Sequence, residues 1–516
     1  MKLKLISAAM LAAIAFTACS DKNKEEPTFE DAKGVAYLSL QVLTPSAPEV
    51  RASTETQASE AENAVKTLKA IVFNSSYEVI KHSTVTDAVQ TLTGFGNTGQ
   101  NTTENTNAFK VPGQSKYLLL IANPGTQLDA VLAGVSAGMH FNSINNAITG
   151  VNVSEIMDAT KGFAMINAGI GVALGDVDNS SAAFQCLVDL SGKVQVVADG
   201  EDPAIAKAAA EASRVPVKIE RLSSKVEVAE KAGGVGYDAV KNPDAKFTFT
   251  SWILDLTNTT FYPWAKKVDL ASAPGNSSFY AKNFYTVDPN YESTTGLTRN
   301  PITVTFPTGA DIAKAVYCIE NTMKASAQQN DKATRAVVKA AYYPQKTWTA
   351  ASDWYSYSGA FYETLEILQD AYNADPANPN LVSACNRFFA KVKAANGTAI
   401  TAVNFAALTQ AMLDNMGITN GGELVKEDDC IRWYQKGLCY YYFPVRHDES
   451  ITANSAFAKY GVVRNNWYAC TITKVSEPGT PWYPEIDDDD IDETEGYISA
   501  TITTGPWVKW GHDIEL

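Results

Sequence analysis

Histidine is scarce in this chain. Four residues, His82, His140, His447 and His512, are scattered through 516 positions, and no CxxC or Cys/His pair at zinc spacing occurs, so a metal site or cofactor has little to build on. Cysteine is sparse as well, seven in all, too few per residue for a disulfide scaffold. Basic charge is in the minority. With 42 Lys and Arg against 57 Asp and Glu, the formal net charge is -15, which argues against nucleic acid as a partner and against a grip on anionic lipid. The leading apolar run, Leu5 to Ala18, is too short to span a bilayer as a helix, and no internal repeat is found. What is present is apolar and aromatic matter, 45% and 10% of the chain, enough for true cores in two or three domains.

The order of the N-terminal residues sets the compartment. Lys2 and Lys4 precede the apolar run, which ends at small residues before Cys19, the layout of a secretory signal over 1–18. The sequence FTAC, Phe16 to Cys19, resembles a bacterial lipobox, which makes Cys19 the expected lipidated (palmitate-bearing) N-terminus. The SDKNKEE that follows resembles the sorting segment of Bacteroidetes lipoproteins carried to the outer membrane surface. Cys186, Cys318, Cys385, Cys430, Cys439 and Cys470 remain in an exported chain, where disulfides are permitted and fifteen pairings are open. Cys430 and Cys439 flank the turn-like IRWYQKGL and are placed to meet across a hairpin; buried free thiols are the other reading.

Alternation of period two dominates the rest. VAYLSLQVL, 35–43, sets Ala36, Leu38, Leu40 and Val42 against Val35, Tyr37, Ser39 and Gln41, and reads as a first strand. A loop rich in Pro, Ser, Thr and Glu follows, the kind of segment a protease accommodates. Arg51 is the only basic residue there between Lys33 and Lys66, so a trypsin-like protease has one obvious bond, Arg51–Ala52. From Lys66, KTLKAIVF, YEVIK and KYLLLIANP read as strands, 127–148 as helical, EDPAIAKAAAEASR as a helix with acidic residues at its start, and VPVKIERLSSKVEV as alternation again. Glycines 233, 234 and 236 mark an expected boundary near 232. Beyond it strands recur, interrupted at about 358–416 by three helical patterns. The expectation is a mainly β chain of two β-sandwich (transthyretin-like) domains, 52–231 and 232–484, with helical insertions.

The end of the chain is the most distinctive stretch. Residues 485–496, EIDDDDIDETEG, are so dense in carboxylates that a solvated tether is expected. After it Ile498, Ala500 and Ile502 alternate with polar residues. Beyond Gly505-Pro506 come Trp507, Val508, Trp510, Ile514 and Leu516. A strand at a free end either completes its own sheet or a neighbour's; the expectation is the neighbour's.

VKIERLSSKVEV, WILDLTNTTFYPWAKK, YYYFPVR, VVRNNWYACTI with Arg464, Asn465, Asn466 and Tyr468, and the closing strand with Pro506-Trp507 together resemble a Bacteroidales fimbrillin, in particular the stalk subunit of the short, minor fimbriae of the type V pilus. The resemblance implies a non-enzymatic surface protein, first a lipoprotein of the outer membrane and then part of a fimbrium. It implies cleavage after the first strand by an arginine-specific protease, matched here by Arg51, and a propeptide spanning 19–51. It further implies head-to-tail polymerisation of copies by donor-strand exchange, partnership with anchor and tip subunits and with host or bacterial surface receptors, and roles in adhesion, biofilm and colonisation. The donor strand would lie in 485–516, with Ile498, Ala500, Ile502, Trp507, Val508, Trp510, Ile514 and Leu516 as its apolar residues. A surface glycan-binding lipoprotein, an anchor or a tip adhesin is the alternative, and would dispense with either Arg51 or the terminal strand.

Other signals have plainer readings. GVSAG, Gly134 to Gly138, fits a nucleophile pattern with His447 or His512 as base, but a helix precedes Ser136 where the elbow needs a strand. Asp488, Asp490 and Asp492 have calcium-loop spacing, yet Glu493 stands where Gly is required. Trp433, Tyr434, Tyr440, Tyr441 and Tyr442 suit a sugar face, and alternating burial explains them equally.

Overall fold

The computed structural model describes residues 34–44, 59–96, 103–167, 187–237, 243–267, 285–292, 306–308, 314–397, 403–420, 431–484, 486, 488–493 and 498–506, apart from 83, 86, 152, 159, 160 and 234. The leading alternation folds as two short strands, β1 (Val35–Leu38) and β2 (Leu40–Leu43), separated by Ser39. A single helical turn, α1 (Glu60–Asn63), follows the loop. Then come β3 (Leu68–Phe73), β4 (Thr103–Asn105), β5 (Phe109–Pro112) and β6 (Tyr117–Ala122). β6 is a continuous apolar run because both of its faces are covered: Leu118 and Leu120 enter the core shared with β1 and β2, while Leu119 and Ile121 meet Leu128 and Leu132 of α2 (Gly125–Ala133). β7 (Met165–Asn167), β8 (Gln195–Val196), α3 (Pro203–Ala212) and β9 (Val215–Arg221) complete the first half. α3 begins at Asp202, whose carboxylate accepts the Ala204 N–H at 2.9 Å, with proline at its first turn as helix starts favour.

The main sheet of this half runs β3-β6-β7-β9-β2-β4, and a second, smaller one runs β8-β1-β5. The chain passes to the second half at Leu222, fully buried. β9 belongs to the first sheet, whereas β10 (Ser223–Glu230) lies inside the next one, antiparallel to β12 (Val316–Ile319) and parallel to β18 (Asn466–Val475). The change of sheet thus precedes the boundary expected near 232, because Val226 and Val228 belong to the second core; the glycines follow β10. β11 (Lys246–Asp255), β13 (Arg335–Tyr343) and β17 (Leu438–Pro444) form the facing sheet. The insert contains β14 (Trp354–Tyr357), β15 (Ala360–Tyr362) and β16 (Arg432–Tyr434), with α4 (Leu365–Ala374), α5 (Pro379–Asn396) and α6 (Gln410–Asn420) packed against them. The helical patterns read at 358–416 are therefore present.

The halves interlock. Phe261 and Trp264, from the second, are buried with Phe141 and Ile144 of the first, and Asn145 clasps Trp264 through both its amide and carbonyl at 3.1 and 3.0 Å.

The aromatic run is mostly core: Trp433, Tyr434, Tyr440 and Tyr441 are all buried, and Tyr442 lies against the Arg335 guanidinium. Cys318, Cys385, Cys439 and Cys470 are buried free thiols; Cys186 and Cys430 lie outside the described residues.

Candidate strand-exchange site

β1 is antiparallel to β5, with Val35 to Leu38 opposite Pro112 to Phe109, and its other edge meets β8, where Ala36 faces Val196. At Ser39 the strand changes sheets. The Ser39 hydroxyl donates to the Thr106 carbonyl, and the Leu40 N–H donates to the Thr106 hydroxyl, both at 2.9 Å. β2 then runs parallel to β9, Leu40 to Leu43 beside Val215 to Lys218, and antiparallel to β4. The segment 35–43 therefore has strands on both sides of each half: β5 beside all of β1 with β8 at Ala36 and Tyr37, and β9 beside all of β2 with β4 at Gln41 to Leu43. Ala36, Leu38, Leu40 and Val42 are at most 1% exposed and share one core, while Tyr37 points the other way, against Ala206 and Ala210 of α3.

Removing this segment would leave β4, β5, β8 and β9 each with an open edge, and unpaired backbone groups are costly when buried. Leu38, Leu40, Val42 and Tyr37 would vacate roughly 1.5 to 3 kcal/mol apiece, with about 1 kcal/mol for each ladder bond. The loss is larger than the whole stability of many domains.

The chain re-enters the described region at Ser59, where a capping box closes α1: the Ser59 N–H donates to Glu62 at 2.7 Å and the Ser59 hydroxyl accepts the Glu62 N–H. Glu62 is 2% exposed. It accepts from the Tyr317 hydroxyl at 2.7 Å and from Lys225 at 3.0 Å, and the Lys225 ammonium lies 4.0 Å over the Trp467 ring. Burial pushes the Glu62 carboxyl up, but Lys225 and the hydrogen bonds hold it below the usual value. Arg221, fully buried, donates to the Glu62 carbonyl at 2.9 Å, to the Asn63 side chain and to Asn465 at 3.3 Å. Burial pulls its guanidinium down to about 10, still charged at neutral pH. Glu62 lies in α1, while Arg221 and Lys225 lie in β9 and β10; nothing in the sequence marked their pairing across the halves.

The RNNWY segment belongs to the same seam. Arg464 pairs with Glu320, both 1% exposed, and donates to the Tyr262 carbonyl at 2.7 Å. Asn465 takes a left-handed φ of 59°, tolerable for asparagine, which lets its side chain accept the Arg221 N–H at 3.2 Å. The Tyr468 hydroxyl accepts the Val463 N–H at 2.8 Å and meets His447 Nδ1 at 2.9 Å.

At the other end, β19 (Ile498–Pro506) lies antiparallel on β18, Cys470 opposite Ile502. Ile502 is 4% exposed and Ala500 packs against the same core; the Ile502 N–H donates to Glu449 at 3.2 Å. Ile498, Ala500 and Ile502, expected in a neighbour's sheet, thus lie on the chain's own second sheet in this structure, where β18 offers an edge beside an apolar core. Part of the acidic run is held as well. Asp492 pairs with Lys459, accepts the Tyr460 hydroxyl at 2.8 Å and the Ser455 N–H at 2.8 Å, and Asp490 accepts the Ser455 hydroxyl at 3.1 Å, so basic and hydroxyl partners dock part of what composition marked as tether. No group of residues able to hold a metal ion occurs among the described residues.

Cys19, Arg51, Ala52, Trp507, Val508, Trp510, Ile514, Leu516 and His512 lie outside the described residues. Ser136 follows α2, with no strand before it, and its N–H donates to the Met139 sulfur.

Residues 36–179 match the family described as Major fimbrial subunit protein (FimA), and residues 432–513 the family described as Major fimbrial subunit protein type IV, Fimbrillin, C-terminal. No curated protein matches the chain. Among solved structures, a candidate cell adhesion protein of Parabacteroides distasonis is 14% identical, over 92% of this chain and 99% of its own, at a TM-score of 0.44. A fimbrilin (fimA) of Porphyromonas gingivalis is 12% identical over 92% and 99%, at 0.38. The tip fimbrial protein Mfa3 of the same organism, with C-terminal truncation, is 12% identical over 91% and 99%, at 0.34. Likenesses this distant do not bear on function. The two family matches take in the first strand pair at one end and β16 to β19 at the other, and on them the chain is identified as fimbrillin-like.

Proposed function

We propose that this chain is a structural subunit of a surface fimbria, non-enzymatic and adhesive, that polymerises when a protease cuts at Arg51–Ala52 and the segment 35–43 leaves. The observation that carries the reading is the setting of that segment: it holds an interior place in two sheets, and it is joined to the remainder through a loop with a single basic residue. The vacancy accepts the end of another copy. Because 498–506 already serve their own sheet, the donor is the ten-residue half from Trp507 to Leu516. Val508, Trp510, Ile514 and Leu516 there repeat the even spacing of Ala36, Leu38, Leu40 and Val42. Groove and donor are different surfaces, so the contact is heterologous and builds an open filament. Lipidation at Cys19 would hold the precursor on the outer membrane until the cut.

The test is trypsin treatment of the full chain and of one ending at Pro506, followed by unboiled electrophoresis and mass spectrometry. The full chain is expected to give a denaturant-resistant ladder with Ala52 as its N-terminus, the shortened chain a clipped monomer. A ladder from the shortened chain would refute donation by this half.

A further inference from the structure

A cleft of about 400 Å³ opens in the helical insert, between β14, the start of α4 and the start of α6, and the exchange of strands makes no use of it. Its charged lining residues are Asp353, Glu363 and Glu366, and no basic residue lines it. Tyr355 also lines it and is 3% exposed, yet its hydroxyl forms no hydrogen bond to a described residue. Burial first, then the carboxylates of Asp353 and Glu366, raise that hydroxyl far above the usual phenol value, so it stays protonated beside them.

Several of the nitrogen and hydroxyl donors around the cleft are committed. The Gln410 amide N–H groups go to Asp353 at 2.9 Å and Asp414 at 3.0 Å, the Trp433 indole to Asp353 at 3.0 Å, and the Ser352 hydroxyl to the Thr349 carbonyl at 2.6 Å. The Thr364 hydroxyl accepts the Ile367 N–H at 3.3 Å as the cap of α4. Acceptors remain: the Tyr355 oxygen and Glu363, to which no described residue is bonded. Thr349 and Thr409 keep hydroxyls that can turn either way. An anion would meet three carboxylates and no basic side chain. An ammonium group presents three donors and no acceptor, and Leu365, Leu408 and Leu413 offer an apolar wall for its stem.

We propose that this cleft binds an alkylammonium group, the head on Tyr355 and Glu363 and the methylenes on the leucines. The group comes from a lysine side chain of a partner protein or from a free diamine, and titration of the full chain separates the two. The probes are N-acetyl-lysine methylamide, the norleucine analogue that lacks the ammonium, and 1,5-diaminopentane. Both amines bind and the norleucine compound does not; the lysine amide binding at least as tightly as the diamine assigns a protein lysine, the reverse a free diamine. Tyr355→Phe and Glu363→Gln each weaken binding roughly tenfold by removing one charge-assisted bond, and Glu363→Gln, on a partly exposed residue, leaves the melting temperature unchanged. Equal binding of the norleucine compound, no binding of either amine, or undiminished binding by both variants would overturn the assignment.

Discussion

Glu62 illustrates how much of this molecule is decided by single buried charges. Its carboxylate joins the residues just beyond the loop to Lys225 and Tyr317 in the second half, so Glu62→Ala leaves Lys225 buried without its counter-ion. A loss of about 3 to 5 kcal/mol is expected in urea unfolding. Trypsin, in the same variant, should reach Lys66, which the native fold protects through the bond from its N–H to Asn123 at 2.8 Å. His447 supplies a pH dependence. Burial lowers it to about 4, so the unfolded chain takes up a proton near 6.5 that the folded chain refuses. The contribution of His447 is therefore complete above pH 6.5, falls away as pH drops toward 4, and amounts to about 3 kcal/mol in all. His447→Gln should flatten that slope in urea titrations run from pH 7.5 to 4.5.

At the scale of elements, the first strand gives the sharper expectation. Leu40→Ala should lower the stability of the uncut chain by roughly 2 to 5 kcal/mol, measured by denaturant unfolding. It should leave the clipped, assembled form unaffected, since that form no longer contains the residue; a penalty persisting after clipping would mean the strand had never left. The alternation of 35–43 was legible in the sequence because burial on one face writes itself as period two. The switch at Ser39 was not, because it depends on Thr106, far along the chain. In the same way the strand character of 498–506 could be read but not its partner, which is set by the free edge of β18 and by Glu449. The carboxylate run misled because composition counts repulsion without seeing Lys459, Ser455 and Tyr460.

For the whole molecule, the strands form one continuous path from the first strand pair to β19. β2 lies beside β9, β9 continues through Leu222 into β10, β10 lies beside β18, and β18 holds β19. Load applied between a filled groove and the tail would thus run along strands and be resisted by many ladder bonds at once, with Arg221, Glu62, Arg464 and Glu320 bracing the crossing. The proposed filament depends on the groove left by 35–43 being emptied by the protease and refilled by another copy. Hydrogen exchange of the Val215 amide, which donates to the Ser39 carbonyl at 2.9 Å on the stretch of β9 beside β2, tests it most directly in the chain ending at Pro506, read before clipping, after clipping, and after addition of a peptide of residues 507–516. Slow exchange before, fast exchange after, and slow exchange restored by the peptide are predicted; protection that survives clipping, or that the peptide fails to restore, would contradict it.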